Sequence, residues 1–407
     1  MESRVPRSLF EPYGMKGLVI KNRLMRSPMV LSMAAADGTV TADLLHMYRA
    51  AAEGGVGLCC TGCMAVNADA RMNWQQLGVW ADHQIPGLAG LVDTVHTYGE
   101  GCTVFGQIFS EGAHSWGYSY GQDDAGLNVN SLSEERIWEI VEAFAASAVR
   151  VREAGFDGVH LHGGHGYLIS QFLSPATNER TDRWGGSMEG RAAFALAICQ
   201  AIRKRVGTDY PLGIKMNTAD YLPRGHWQAE TAHIARLLAE AGVDLIEMSG
   251  GMGYMIELRE ALRRRAGEKE YYFWDAIPPF TDALAGTGVA LAAVGGIRTP
   301  AVMDQIRSLG IDFISMARPW LCEPAWPTAS RPATCDPRNA FRAIDSAISV
   351  WRSSAKARCS VSGSTRAIAA WPARSSRTTP RTWRTWRPAS WKRRYVSSRQ
   401  KIPLPTR

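Results

Sequence analysis

The sequence predicts a (β/α)8 barrel: an α/β fold whose eight parallel strands close into a ring, here with an N-terminal hairpin and an irregular, basic C-terminal tail. Three observations predict it. Eight apolar, strand-like runs begin near residues 24, 56, 102, 157, 212, 243, 289 and 311. Helical patterns separate them, as a parallel sheet requires, because each strand needs a crossover before the next. A doubly wound open sheet would carry G-x-G-x-x-G after its first strand, and that run is missing.

Each element follows from local chemistry. Residues 9–20 form a short hairpin with Gly14 and Gly17 at its turn, and 22–29 a strand ending in Ser27-Pro28-Met29. Thr41 caps a helix over 42–53 that Gly54-Gly55 stop. Residues 56–66 read as one buried strand, 85–98 as a helix opened by Pro86, and 102–109 as a strand carrying Gln107. Ser131 and Glu134 make a capping-box pattern before a long amphipathic helix to 153, closed by Gly155. In the next strand, period-2 alternation sends Val159 and Leu161 to one face and His160 and His162 to the other. Helices over 188–205, 229–240, 277–284 and 300–309 then alternate with strands over 212–217, 243–249, 289–294 and 311–317.

Composition bounds the function classes. Hydrophobic residues at 46% suffice for a large core. No stretch reaches the roughly 18 apolar residues of a membrane span, and residues 1–17 lack the apolar run of a secretory leader, so a cytoplasmic location is expected. The eight cysteines, several in strand-like runs, read as buried free thiols. Cys60-Thr61-Gly62-Cys63 has the C-x-x-C form but no second pair at zinc spacing. The net charge of +8 divides into +15 on residues 346–407, which hold no acid, and −7 on the first 345. The expected organisation is therefore a barrel over 1–325 and an atypical, largely disordered segment over 326–407 with no second enzymatic domain. Arg and Trp alternate at 381–386 in a manner that nucleic acid or an anionic membrane would accept, but the tail lacks any packing periodicity, and a nucleic-acid partner is not expected.

Barrels carry their chemistry at the carboxyl ends of the strands. Those ends hold Ser27-Pro28-Met29, Gly62, Gln107, His162 with His165 and Tyr167, Lys215, Ser249-Gly250-Gly251, Gly295-Gly296 and Ala317-Arg318. Glycines after the seventh strand and an arginine after the eighth suit a phosphate, which backbone N–H groups and a guanidinium together can hold. Three histidines and a tyrosine within 160–167 admit acid–base, metal or core readings. No acidic residue stands within 158–178, which argues against a metal.

At these residues the sequence resembles the old yellow enzyme family of FMN-dependent oxidoreductases, above all the bacterial NADH:flavin oxidoreductases and the barrel of 2,4-dienoyl-CoA reductase. The most specific block is His162-Gly163-Gly164-His165-Gly166-Tyr167-Leu168, followed by Gln171 to Pro175, Asn178, Arg180-Thr181-Asp182 and Trp184 to Ser187. Supporting blocks are Asn22-Arg23-Leu24, Ser27-Pro28-Met29 and Ser315 to Pro319. The resemblance implies FMN as cofactor, NADH or NADPH as reductant, and a small-molecule substrate whose activated C=C bond takes a hydride. Ser27, Pro28, Met29, Gly62, Gln107 and Lys215 would then contact the flavin ring, and Gly295, Gly296, Ala317 and Arg318 its phosphate. His162 and His165 would bind the substrate oxygen, and Tyr167 would supply a proton. Oxidation of a cyclic amine on the same scaffold, or an inactive barrel with a nucleic-acid-binding tail, are the alternatives. Val30 and the run Ser110-Glu111-Gly112-Ala113 depart from the family pattern and put the substrate class in doubt. Cys335 alone remains where the branch has a cysteine cluster, so no iron–sulfur centre is expected. Related enzymes use this region to complete the barrel rim or reach a neighbouring subunit, which leaves a homo-oligomer open.

Overall fold

Strands β3 (Leu24–Arg26), β4 (Leu58–Cys60), β6 (Thr103–Phe109), β7 (Gly158–Gly163), β8 (Leu212–Asn217), β9 (Leu245–Ser249), β10 (Ala290–Val294) and β11 (Phe313–Met316) run parallel in that order in the computed structural model. β4 pairs with both β3 and β6, so the sheet closes on itself. The structure describes residues 9–112, 128–222, 224–252, 270–322 and 324, all within a unit spanning Met1–Trp351. The unit Arg352–Arg407, and with it the basic run at 381–386, lies outside the described residues, as does Cys335.

Period-2 alternation sorts each strand between the barrel's inside and its helical coat. Met25, Leu58, Cys60, Phe105, Leu245, Ala290, Ala292 and Phe313 form one buried apolar cluster. The hairpin β1 (Tyr13–Met15) and β2 (Leu18–Ile20) joins it through Met15 and Ile20. The turn falls on Lys16 and Gly17, both at positive φ, as a two-residue hairpin requires; Gly14 lies within β1. Above this plug, the inward residues turn polar: Ser27, Gln107, His160, Lys215, Glu247 and Ser315 are all buried. A second, larger apolar cluster packs the outer faces of the strands against the helices.

Helices α1 (Ala42–Glu53), α2 (Ile85–Tyr98), α3 (Glu134–Glu153), α5 (Met188–Val206), α6 (Gln228–Glu240), α7 (Ile277–Ala283) and α8 (Pro300–Ser308) match the predicted spans to within one residue at either end. Thr41 caps α1 by accepting from Leu44 N at 3.3 Å. The cap of α3 is Ser133, which accepts from Arg136 N at 3.2 Å, while Ser131 instead donates to Asn128 O. Spacing alone could not separate two serines within one turn. The strand predicted over 56–66 is broken: β5 (Met64–Ala65) resumes only after Thr61-Gly62-Cys63, which leave the strand conformation. Two short elements were not predicted, α4 (Leu168–Leu173) directly after Tyr167 and α9 (Arg318–Cys322). Cys59, Cys60, Cys63, Cys102 and Cys199 are buried free thiols as expected, but Cys322 is in a disulfide.

His160 lies fully inside the barrel, and its Nδ1 stands 3.0 Å from Gln107 Nε2. An amide N–H only donates, so Nδ1 accepts and the ring proton sits on Nε2, which faces Glu247 at 3.8 Å. Burial pushes this imidazole down from 6.5 to about 4, against the pull of Glu247. A depressed histidine binds its proton more readily in the unfolded chain, so its contribution is present above 6.5 and is lost as pH falls through 4. Urea melts across that window are expected to lose about 3 kcal/mol to this one group, and His160→Gln to flatten the slope. An unchanged slope in the variant would assign the loss elsewhere.

Candidate functional site

Strand ends converge at the rim above the polar layer. β7 delivers His162 there and pairs it in register with Lys215 on β8, which pairs with Glu247 on β9. Past β7 the chain turns at Gly164, and His165 adopts a left-handed φ of 62°. That costs a non-glycine residue energy, and two anchors hold it. His165 N donates to Asn217 Oδ1 at 2.9 Å, and its Nε2 lies 2.7 Å from Ser249 Oγ. Ring centroids of His162 and His165 stand 5.2 Å apart at an interplanar angle of 90°. Tyr167 packs edge-on to His162 at 4.7 Å and to Phe109 at 4.8 Å, with its hydroxyl donating to Met72 Sδ at 2.9 Å. Histidine pair and phenol therefore share one corner of the rim.

Tautomers follow from these bonds. Gly164 N donates to His162 Nδ1 at 3.4 Å, which leaves the ring proton on Nε2. Burial first, then His165 and Lys215, hold His162 well below its ordinary value; burial and Lys215 likewise depress His165. Both rings are neutral near pH 7. They can donate a hydrogen bond to an oxygen without already carrying a charge.

The longest sequence motif is mostly scaffold. Gln171 Nε2 donates to Gly166 O at 2.6 Å and so fastens the turn that carries His165. Asn178 Nδ2 bridges Phe172 O and Trp184 O at 2.7 and 2.8 Å. Arg180 Nη1 donates to Val129 O and Leu132 O, both at 2.8 Å, and Ser187 caps α5 by accepting from Gly190 N. These residues tie the loop after β7 to the loop before α3.

Across the axis, Lys215 Nζ donates to Ser27 Oγ at 2.8 Å and faces Glu247 Oε2 at 3.2 Å. Gln107 is fixed by its backbone N–H on Thr61 Oγ1 at 3.0 Å and by His160 through its amide. Gly62 donates its N–H to Tyr48 Oη at 2.6 Å, and a Cβ there would stand 2.3 Å from Met29 O. Only glycine lets that backbone pass Met29 closely. Pro28 and Met29 are half-buried at the same edge.

At the far side Gly295 and Gly296 have φ of 136° and 72°, backbone that favours glycine. Tyr272 lies over them: its N–H donates to Gly295 O at 3.2 Å, and its hydroxyl lies 3.3 Å from Arg318 Nη2. Ala317 and Arg318 are half-buried, and among the described residues no carboxylate pairs with Arg318. The donor set fits a flavin mononucleotide by chemistry. Gly295, Gly296, Arg318 and the Tyr272 hydroxyl suit its dianionic phosphate, while Lys215 and Gln107 suit the polar edge of its ring.

Three groups escaped the sequence reading. Glu247 is an apolar-strand residue by neighbourhood, and only its inward register reveals it. Tyr272 lies in the long connection after β9, and nothing in its local sequence marks it as a partner of Arg318. Glu111 follows β6, donates its N–H to Ala70 O, and has its carboxyl pushed up by burial to about 7.

The chain matches the model of the NADH:flavin oxidoreductase / NADH oxidase family over residues 8–331. An NADH oxidase of Thermoanaerobacter brockii is 33% identical over 338 residues, covering 80% of this chain and 50% of that protein. An NADPH dehydrogenase of Halalkalibacterium halodurans is 31% identical over 341 residues, covering 78% and 92%. Among solved structures, 2-naphthoyl-CoA reductase in complex with 2-naphthoyl-CoA superposes with a TM-score of 0.70 at 26% identity, covering 79% of this chain and 51% of that one. Morphinone reductase shares the fold, with a TM-score of 0.66 at 22% identity over 83% and 94%. The chain thus spans about half the length of the NADH oxidase and the naphthoyl-CoA reductase, and nearly all of the NADPH dehydrogenase. With a family match over most of its length and the strand-end residues gathered at one rim, the chain belongs to the NADH:flavin oxidoreductase / NADH oxidase family, the FMN-dependent NAD(P)H oxidoreductases of the old yellow enzyme type.

Proposed function

We propose that this chain reduces an activated C=C bond, in an enone-, enal- or enoate-like substrate, at the expense of NADH or NADPH. The observation that carries this reading is the neutral His162–His165 pair beside Tyr167, on the rim above the Lys215–Gln107 layer. FMN, when bound, would supply the two-electron hydride chemistry that links the nicotinamide to the substrate's C=C bond.

Ser27, Pro28, Met29, Gly62, Gln107 and Lys215 line the ring in this reading, and Gly295, Gly296, Ala317 and Arg318 hold the phosphate. His162, through Nε2–H, and His165 donate to the carbonyl oxygen of the substrate. Those bonds strengthen as the oxygen gains charge, which is where preorganised donors lower a barrier. Tyr167 then delivers a proton to the α-carbon, so one hydride and one proton complete the saturation. Phe109 and Met72 hold the phenol against the histidines and keep water from competing for it.

Three measurements test the reading. Purified protein is expected to be yellow and to release FMN on denaturation; a colourless protein that takes up no FMN sinks it. His162→Ala combined with His165→Ala is expected to weaken binding of phenolic ligands by at least about a hundredfold while FMN stays bound, because each of the two hydrogen bonds to a charged oxygen is worth about 1.5–3 kcal/mol. Equal ligand titrations in variant and parent would remove these histidines from the substrate site. Tyr167→Phe is expected to slow the substrate half-reaction by about 10²–10⁴, the usual yield of a positioned acid, with the nicotinamide half-reaction unchanged. Equal slowing of both halves in stopped flow would assign Tyr167 a structural part instead.

A further inference from the structure

Among the described residues, Glu247 is the one carboxylate in the polar layer, fully buried on β9, and the reading above leaves it without a task. Its two oxygens have distinct surroundings. Oε1 accepts from Ser27 Oγ at 2.7 Å and from Ser315 Oγ at 2.6 Å. Oε2 faces Lys215 Nζ at 3.2 Å and His160 Nε2 at 3.8 Å. One side chain thus ties β9 to strands β7, β8 and β11 and to the residue just past β3.

The direction of every bond is determined. An ammonium only donates, so Ser27 Oγ accepts from Lys215 and turns its own proton to Glu247. Burial alone would raise the carboxyl, but Lys215, His160 and the two serines outweigh it and keep the group ionised. A lone ammonium at this depth would face a desolvation penalty of several kcal/mol. With Glu247 beside it, the Lys215 ammonium is held in one position, between the carboxylate and the serine at the rim.

We propose that Glu247 is the positioning counter-ion of Lys215: it fixes the ammonium that would face the polar edge of the flavin ring, offsets part of its charge, and so limits how far the site favours the reduced, more negative cofactor. This rests on the reading in which Lys215 faces the flavin. It makes cofactor potential a property of the pair. Lys215 pulls the potential up and Glu247 pulls it down, each through the other's presence.

The test is the midpoint potential of FMN-loaded protein, measured by equilibration with a reference dye. Glu247→Gln keeps the shape and removes the charge; it is expected to favour reduced FMN by about tenfold, a rise of about 30 mV for a two-electron couple. Lys215→Met is expected to lower the potential by a comparable factor. Glu247→Asp, which keeps the charge, should stay within about threefold of the parent. In the Lys215→Met background, burial protonates Glu247, so adding Glu247→Gln should change nothing further. That double variant also serves if the single glutamine variant fails to fold, since losing both buried charges is far milder than losing one. An unmoved potential in Glu247→Gln, or a further tenfold shift on adding it to Lys215→Met, overturns the proposal. An unmoved potential in Lys215→Met overturns instead the reading that this lysine faces the flavin, and failure to bind FMN overturns the proposed function itself.

Discussion

A lysine and a glutamate shut inside a barrel impose a strict condition: each charge must be paired and each remaining lone pair or proton must find a partner. Lys215 and Glu247 meet most of it by pairing with each other and recruiting Ser27 and Ser315, while Glu247 Oε2 keeps its ion pair and has no hydrogen bond. Because these residues come from separate strands, the condition couples the registers of β8, β9 and β11 and the end of β3. A one-residue slip in any of these strands would turn its polar group into the helical coat and strand the others without partners. Register of the rim and pairing of the buried charges are therefore one constraint. The apolar plug beneath it, sealed by the Met15–Ile20 hairpin, keeps water from relaxing that constraint from below.

The rim inherits its geometry from this layer. His162 and Lys215 are register partners, so the ammonium and the imidazole keep a set spacing. Burial and the nearby cation act in the same direction on the histidines and hold them neutral. Neutral rings donate through one nitrogen only, and the bonds from Gly164 to His162 and between His165 and Ser249 decide which nitrogen is left to face a ligand. The strained φ of His165 is sustained by Asn217 and by the Gln171-braced turn, not by the histidine itself.

A division of labour runs through the long motif after β7. His162, His165 and Tyr167 bring their rings together at the rim. Gln171, Asn178, Arg180 and Ser187 bond almost entirely to main chain, so they hold the loop in place. Glu270 plays a similar part at α8, where its carboxylate accepts from Arg298 N and Thr299 N, a cap supplied from a distant loop where Thr299 makes no side-chain cap of its own.

The alternation of strand and helix patterns is local, so the order of elements, most of their bounds and the strand ends that bear His162, Gln107, Lys215 and Gly295-Gly296 were all legible in the linear chain. Period-2 logic even placed His160 and His162 on the inward face. Other features depend on residues far apart in sequence, and no local pattern encodes them. Glu247 sits in the run Leu245-Ile246-Glu247-Met248 and becomes the centre of a network only when closure brings Ser27 and Lys215 to it, 220 and 32 positions away. The break at Thr61-Gly62-Cys63 is set by Tyr48 and Met29, and the choice of Ser133 over Ser131 by which hydroxyl meets the first free N–H of α3. The sequence by itself determined which residues reach the rim, because periodicity is a property of neighbours along the chain. Only the tertiary structure decided their charge states and partners, because those depend on what barrel closure packs against them.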